Sequence, residues 1–173
     1  MVGDSGRKEP QTGNLQAGKN LPIVELNVLM GHSPATIDDK GRLKVPANFR
    51  KVIEDRYGRD CFITSTDGDR ATIYPMPVWE DFQARLAKVP STSMAKAKLL
   101  ERVNYFGQVS SIDAQGRLLV PNVLRNVAAI NGDVVVIGNQ DHLIVWNEGR
   151  IQKRLEEAPL TDEDFKELEL HGV

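Results

Sequence analysis

The alternation of apolar and polar positions divides the chain into two rounds of the same elements. Residues 36–37 and 43–45 read as short strand ends around Asp38-Asp39-Lys40-Gly41. Aspartate bonds nearby backbone there, and glycine accepts a positive φ. Pro46 suits the first turn of a helix, where its missing N–H costs nothing. Phe49, Val52, Ile53 and Tyr57 follow at helical spacing, and Gly58 marks a stop. Residues 61–64 and 71–74 read as partner strands around the turn Asp67-Gly68-Asp69. A helix over 75–89 gathers Trp79, Phe82 and Leu86 on one face, for the core or a subunit contact. Pro90-Ser91-Thr92-Ser93 interrupts the chain, and Ser93 is placed to cap a helix over 94–105. A hairpin over 106–120, a helix over 121–130, strands over 134–137 and 142–146 and a helix over 148–157 complete the second round.

The two rounds share sequence. Residues 37–52 and 112–127 align at a constant offset of 75, and nine of the sixteen positions are identical. The shared positions are Ile37/Ile112, Asp38/Asp113, Gly41/Gly116, Arg42/Arg117, Leu43/Leu118, Val45/Val120, Pro46/Pro121, Arg50/Arg125 and Val52/Val127. This is an internal duplication. A unit of roughly 50 residues buries little surface alone, whereas two intertwined copies make one pseudo-symmetric module. The expected fold class is therefore α+β, mainly β hairpins with short helices. The first repeat spans 28–90, a connecting helix 91–105 and the second repeat 106–157. Residues 1–27, rich in Gly, Asn, Gln, Lys and Pro, read as a disordered leader. The apolar patch 21–29 at its end could add a strand or pack on a neighbour, so disorder need not reach residue 27. Residues 158–173 form an acidic tail, mobile or weakly helical, that repels DNA.

Composition narrows the function. The 173 residues are 40% apolar and 27% charged, which is ordinary for a globular chain. No run is long enough to cross a bilayer, and residues 1–20 lack the progression of a secretory signal. Cys61 is the single cysteine, so no intrachain disulfide forms, and a reducing cytosol suits the chain. Net charge is -2, so a nucleic-acid role needs local basic patches, several at once.

No catalytic constellation emerges. His32, His142 and His171 are isolated, and none stands at metal-ligand spacing with Cys61. Glycine-rich phosphate loops and a nucleophile elbow are missing from the sequence. Asp38 and Asp113 each have an arginine four residues on, which lowers a carboxylate's pKa and makes it a poor acid. An enzyme is not the expectation, and no metal or cofactor is implied.

The turns carry the candidate binding chemistry. Asp38 with Arg42, and Asp113 with Arg117, read as ion pairs that fix each turn; the arginines could also present a planar fork to phosphate or a guanine edge. Lys40, Arg42 and Lys44 lie within five residues, and a strand would set Arg42 and Lys44 on one face. The second copy has Gln115 and Leu119 in place of the lysines, with Gln115 still a neutral donor. On that count the first copy does most of the phosphate work.

The doubled D-x-x-G-R-L-x-V-P unit, each copy leading into a helix, resembles the MraZ family of bacterial transcriptional regulators over residues 28–157. The resemblance implies tandem AbrB-type swapped-hairpin repeats. It implies binding to double-stranded promoter DNA at short direct repeats, in the division and cell-wall gene cluster that includes the protein's own promoter, mostly as a repressor. It also implies a ring-shaped homo-oligomer, cytoplasmic and nucleoid-associated, with no membrane and no small-molecule substrate. By position, Arg42 and Arg117 take the motif arginines and Lys40 the basic turn residue. Arg50 and Arg125 take the helix arginines and are expected to be structural, with Asp38, Gly41, Asp113 and Gly116. Family members begin near residue 28 and often carry a basic residue where this chain has Met30, so the leader and Met30 depart from the pattern. A ring on consecutive repeats gains roughly 10²–10⁴ in avidity over one site. Two rivals are a protein-interaction scaffold and an AbrB-like antitoxin whose tail neutralises a partner.

Overall fold

The computed structural model describes residues 28–173, so the leader over 1–27 lies outside the described residues. The chain runs β1 (His32–Ile37), β2 (Arg42–Lys44), α1 (Ala47–Tyr57), β3 (Asp60–Thr64), β4 (Ala71–Pro75), α2 (Met76–Ala87) and α3 (Met94–Tyr105). The second round is β5 (Gln108–Ser111), β6 (Arg117–Leu119), α4 (Asn122–Val127), β7 (Gly132–Asn139), β8 (His142–Trp146), α5 (Glu148–Glu157) and α6 (Asp162–Glu169). The architecture is α+β, as expected.

The eight strands form one antiparallel sheet in the order β5-β3-β4-β8-β7-β1-β2-β6. Exchanging β1 with β5, β2 with β6, β3 with β7 and β4 with β8 reproduces every neighbour pair but one, β1–β2 becoming β5–β6. β2–β6 and β4–β8 therefore sit on a pseudo-twofold axis, while β1–β7 and β5–β3 are mates. The ends of the order, β5 and β6, are arms of one hairpin, and the Leu119 N–H donates to Ser110 Oγ at 3.0 Å. The sheet curls until its ends meet.

The expected hairpins around the first turn and over 106–120 exist only at their tips. β1 and β2 pair at the single register Ile37↔Leu43; β1 then follows β7 from His32↔Ile137 to Ile37↔Gly132. β2 and β6 pair across the repeats, Leu43 opposite Leu118. Each hairpin opens beyond its turn, and its arms pair instead with strands of the other repeat, around a shared core. Leu43, Val45, Phe49 and Ile53 from the first repeat and Leu118, Val120, Leu124 and Ile130 from the second join one core. Leu29, at the end of the apolar patch, belongs to it too and exchanges two backbone hydrogen bonds with Gln140.

One element differs from expectation. The helix expected over 121–130 stops at Val127, because Ala129 takes a left-handed φ of 53° and turns the chain into β7. The tail after Pro159 contains α6, started by a capping box between Thr161 and Asp164. The face of Trp79 and Leu86 is core: Trp79 stacks on Phe62 at 4.3 Å between ring centroids. His142 is satisfied, Nδ1 lying 2.7 Å from an Asp141 carboxylate oxygen.

Candidate nucleic-acid interface

The two D-x-x-G-R turns have matching geometry. One oxygen of Asp38 accepts the N–H groups of Lys40 (3.0 Å) and Arg42 (2.9 Å), while the other accepts Arg42 Nε at 2.8 Å and pairs with Nη2 at 2.7 Å. Asp113 does the same for the N–H groups of Gln115 and Arg117 and for Arg117 Nε, each at 2.9 Å. The Arg42 side chain, then its backbone N–H, holds the Asp38 carboxyl down at about 2. The Arg117 backbone N–H leads the same effect on Asp113, and Asp38 in turn raises Arg42. Both carboxylates are therefore fixed acceptors, and the ion pairs expected from sequence are present.

The glycines serve two ends. Gly41 has φ 79° and Gly116 φ 75°, a region that other L residues rarely adopt. Each also lies under an arginine from the other repeat: a Cβ on Gly41 would fall 2.6 Å from Arg125 Cζ, and one on Gly116 would collide with Arg50 Nη1. Arg125 is tied down by hydrogen bonds to Val120 O, Asn131 Oδ1 and Asn122 Oδ1, each 3.2 Å. The carbonyls of Gly41 and Gly116 accept the N–H groups of Val120 (2.9 Å) and Val45 (3.0 Å). Each turn is thus clamped by the opposite repeat.

Strand register sets the interface. Leu43 and Leu118 point inward, so their neighbours Arg42, Lys44, Arg117 and Leu119 share the outer face of the β2–β6 ribbon. Arg42 stands opposite Leu119, and Lys44 opposite Arg117. Because the strands are antiparallel, the two turns cap opposite ends of the ribbon. Lys40 is exposed at one end and Gln115 at the other. Lys44 leaves the turn it follows in sequence and donates to the Gln115 carbonyl of the other.

Counting cations by repeat therefore misplaces Lys44. One end of the ribbon has Lys40, Arg42 and Leu119, with Arg125 beside them; the other has Gln115, Arg117 and Lys44, with Arg50 beside them. A groove of about 430 Å³ runs from Lys44 and Arg50 along Pro46 and Ala47 to Thr36. The start of α1, a helix with no side-chain cap and no acidic residue in its first turn, forms part of its wall. Leu119 is the surface partner that sequence reasoning passed over, since only cross-strand register sets it beside Arg42. Met30 is 55% exposed. Among the described residues no group of three His, Cys, Asp or Glu side chains could hold a metal ion. No helix among them is long and apolar enough to cross a membrane.

Comparisons with known proteins all point to one family. The family model described as "MraZ protein, putative antitoxin-like" matches residues 28–102 and 108–169. The chain is 46% identical over 143 residues to a protein named Transcriptional regulator MraZ from Acidobacterium capsulatum, covering 83% of this chain and 98% of that one. It is 46% identical over 144 residues to the protein of that name from Koribacter versatilis, with the same coverage. To the one from Herpetosiphon aurantiacus it is 33% identical over 137 residues, 76% of this chain and 92% of the other.

Proposed function

The chain belongs to the MraZ family, and from that premise we propose that it is a transcriptional regulator that binds promoter DNA through the β2–β6 ribbon and the two turns at its ends. Its operator consists of short direct repeats, including those before its own gene in the division and cell-wall cluster, and it represses there. Several copies in a ring engage successive repeats. It acts on the nucleoid in the cytoplasm, by binding rather than catalysis.

The observation that carries this reading is the outer face of the ribbon. Arg42, Lys44 and Arg117 stand side by side on a two-stranded antiparallel ribbon, an element narrow enough for a major groove. Asp38 engages the Nε and Nη2 edge of Arg42, which orients the planar group and leaves Nη1 as its edge toward a guanine or a phosphate. Arg42 and Arg117 keep 30% and 25% of their side-chain surface open. Lys40 supplies phosphate contact at one end, and Lys44 with the uncapped start of α1 at the other. A chain of net charge -2 depends on such local clusters, so affinity falls steeply with salt.

The test is a fluorescence-anisotropy titration with DNA from upstream of the gene and a scrambled control, at two or more salt concentrations. Arg42→Ala is expected to weaken specific binding by about 1–3 kcal/mol and to relax sequence preference. Lys40→Ala weakens binding to both probes and reduces the salt slope by about 1. Equal binding of both probes, indifferent to Arg42, would refute the reading.

A further inference from the structure

Helix order gives α3 a counterpart in α6, since each follows the helix that closes its repeat. Their surroundings differ. α3 is anchored: Val103 is buried and its carbonyl accepts Thr64 Oγ1 at 2.6 Å, and Phe106 at its end is buried as well. α6 has no buried residue. Yet Phe165 and Leu168, three apart, lie on one side of α6, 52% and 38% exposed. Helical spacing sets Asp162 and Glu169 along one edge of that stripe and Asp164 along the other. The helix has five carboxylates against the single cation Lys166.

The exposed side of α3 has the opposite character. Met94, Lys98, Glu101, Arg102 and Tyr105 recur there at spacings of three and four. Met94 and Tyr105 are 71% and 70% exposed. Glu101, Arg102, Tyr105 and Phe106 line a groove of about 530 Å³, with Tyr105 edge-on to Phe106. Apolar socket meets apolar stripe, and Lys98 and Arg102 meet carboxylates. The groove beside α5, lined by Arg150, Lys153 and Arg154, is a weaker match: two carboxylates, Asp69 and Glu157, share its wall against Glu101 alone at α3, and its one aromatic, Trp146, is only 4% exposed where Tyr105 is 70% exposed.

We propose that α6 of one copy seats in the α3 groove of a second copy, Phe165 and Leu168 entering beside Tyr105 and Phe106. Each chain has one α6 and one α3, so the contact is head-to-tail, the kind that closes into rings or runs on as filaments. A single two-turn helix makes a small interface, and closure of the ring supplies the remaining stability. This inference rests on the oligomeric part of the proposed function and is independent of the DNA site.

The test uses the full chain and light scattering after size exclusion, without DNA. Lys98→Glu with Arg102→Glu reverses the socket; Asp162→Lys with Glu169→Lys reverses the helix. Each double variant alone is expected to fall to a mass below that of the wild type. An equimolar mixture regains the higher mass, because each socket then finds a helix of opposite charge. A wild-type mass in either variant, or no recovery on mixing, overturns the proposal. A second arm does not depend on charge reversal: the chain with Tyr105→Cys and Phe165→Cys, oxidised, forms disulfides between chains. Cys61 does not interfere, being buried with its thiol pushed up to about 12. No cross-linking in a variant that keeps its oligomeric mass would also overturn it. Mass is read in the absence of DNA, so a failure of the DNA reading leaves this result untouched.

Discussion

Asp38 accepts three hydrogen bonds and one further ion-pair contact from its own turn, and that local geometry sets its titration. Its folded pKa of about 2 lies below the ordinary carboxylate value near 3.9. A depressed pKa contributes stability above the unfolded value and loses it as pH falls through the folded one. Thermal melts of the wild type should therefore drop between about pH 4 and pH 2. Asp38→Asn melts lower at neutral pH and has a flatter profile across that window. The glycines supply a second prediction. Gly41→Ala forces a left-handed alanine at about 1–2 kcal/mol and drives its Cβ into Arg125. Urea unfolding should show a larger loss than the backbone cost alone, and the excess should vanish in an Arg125→Ala background. Such a double-mutant cycle isolates the contact between the repeats. The turn itself was legible from Asp, Gly and Arg in sequence. The arginine of the opposite repeat over the glycine was not, because no spacing within one copy encodes it.

Helices obeyed short-range signals. Ser93 caps α3, its hydroxyl accepting the Lys96 N–H at 3.3 Å, and Gly58 ends α1 at φ 86°. Ser93→Ala should destabilise the protein by about 0.5–2 kcal/mol in chemical denaturation. Strands obeyed them only in part. Their positions followed from apolar alternation and turn residues, but their partners did not. β1 could have followed β2 through a full hairpin, and instead takes β7 over six registered positions. The pairing of β2 with β6 across the repeats is what carries Lys44 to the second turn and sets Leu119 beside Arg42. The candidate interface was thus legible as a set of residues and not as an arrangement.

Every strand pairing except β1–β2, β3–β4 and β7–β8 joins the two repeats. Neither repeat retains its core without the other. Residues 28–105 expressed alone are expected to be unfolded, or to dimerise by using a second copy's β3 and β4 in place of β7 and β8. Circular dichroism and light scattering would distinguish those outcomes from a folded monomer, which would contradict the intertwined core. Co-expression with residues 106–173 should restore a single cooperative transition.

The residues alone determined the duplication, the turn chemistry, the helices, the α+β class and the family, because each depends on neighbours a few positions apart or on a motif repeated intact. The tertiary structure decided which strand edges meet, which repeat clamps which turn, and how the cations divide between the two ends of the ribbon. Strand pairing is open to any edge of matching period, and only the burial of one shared core selects among them.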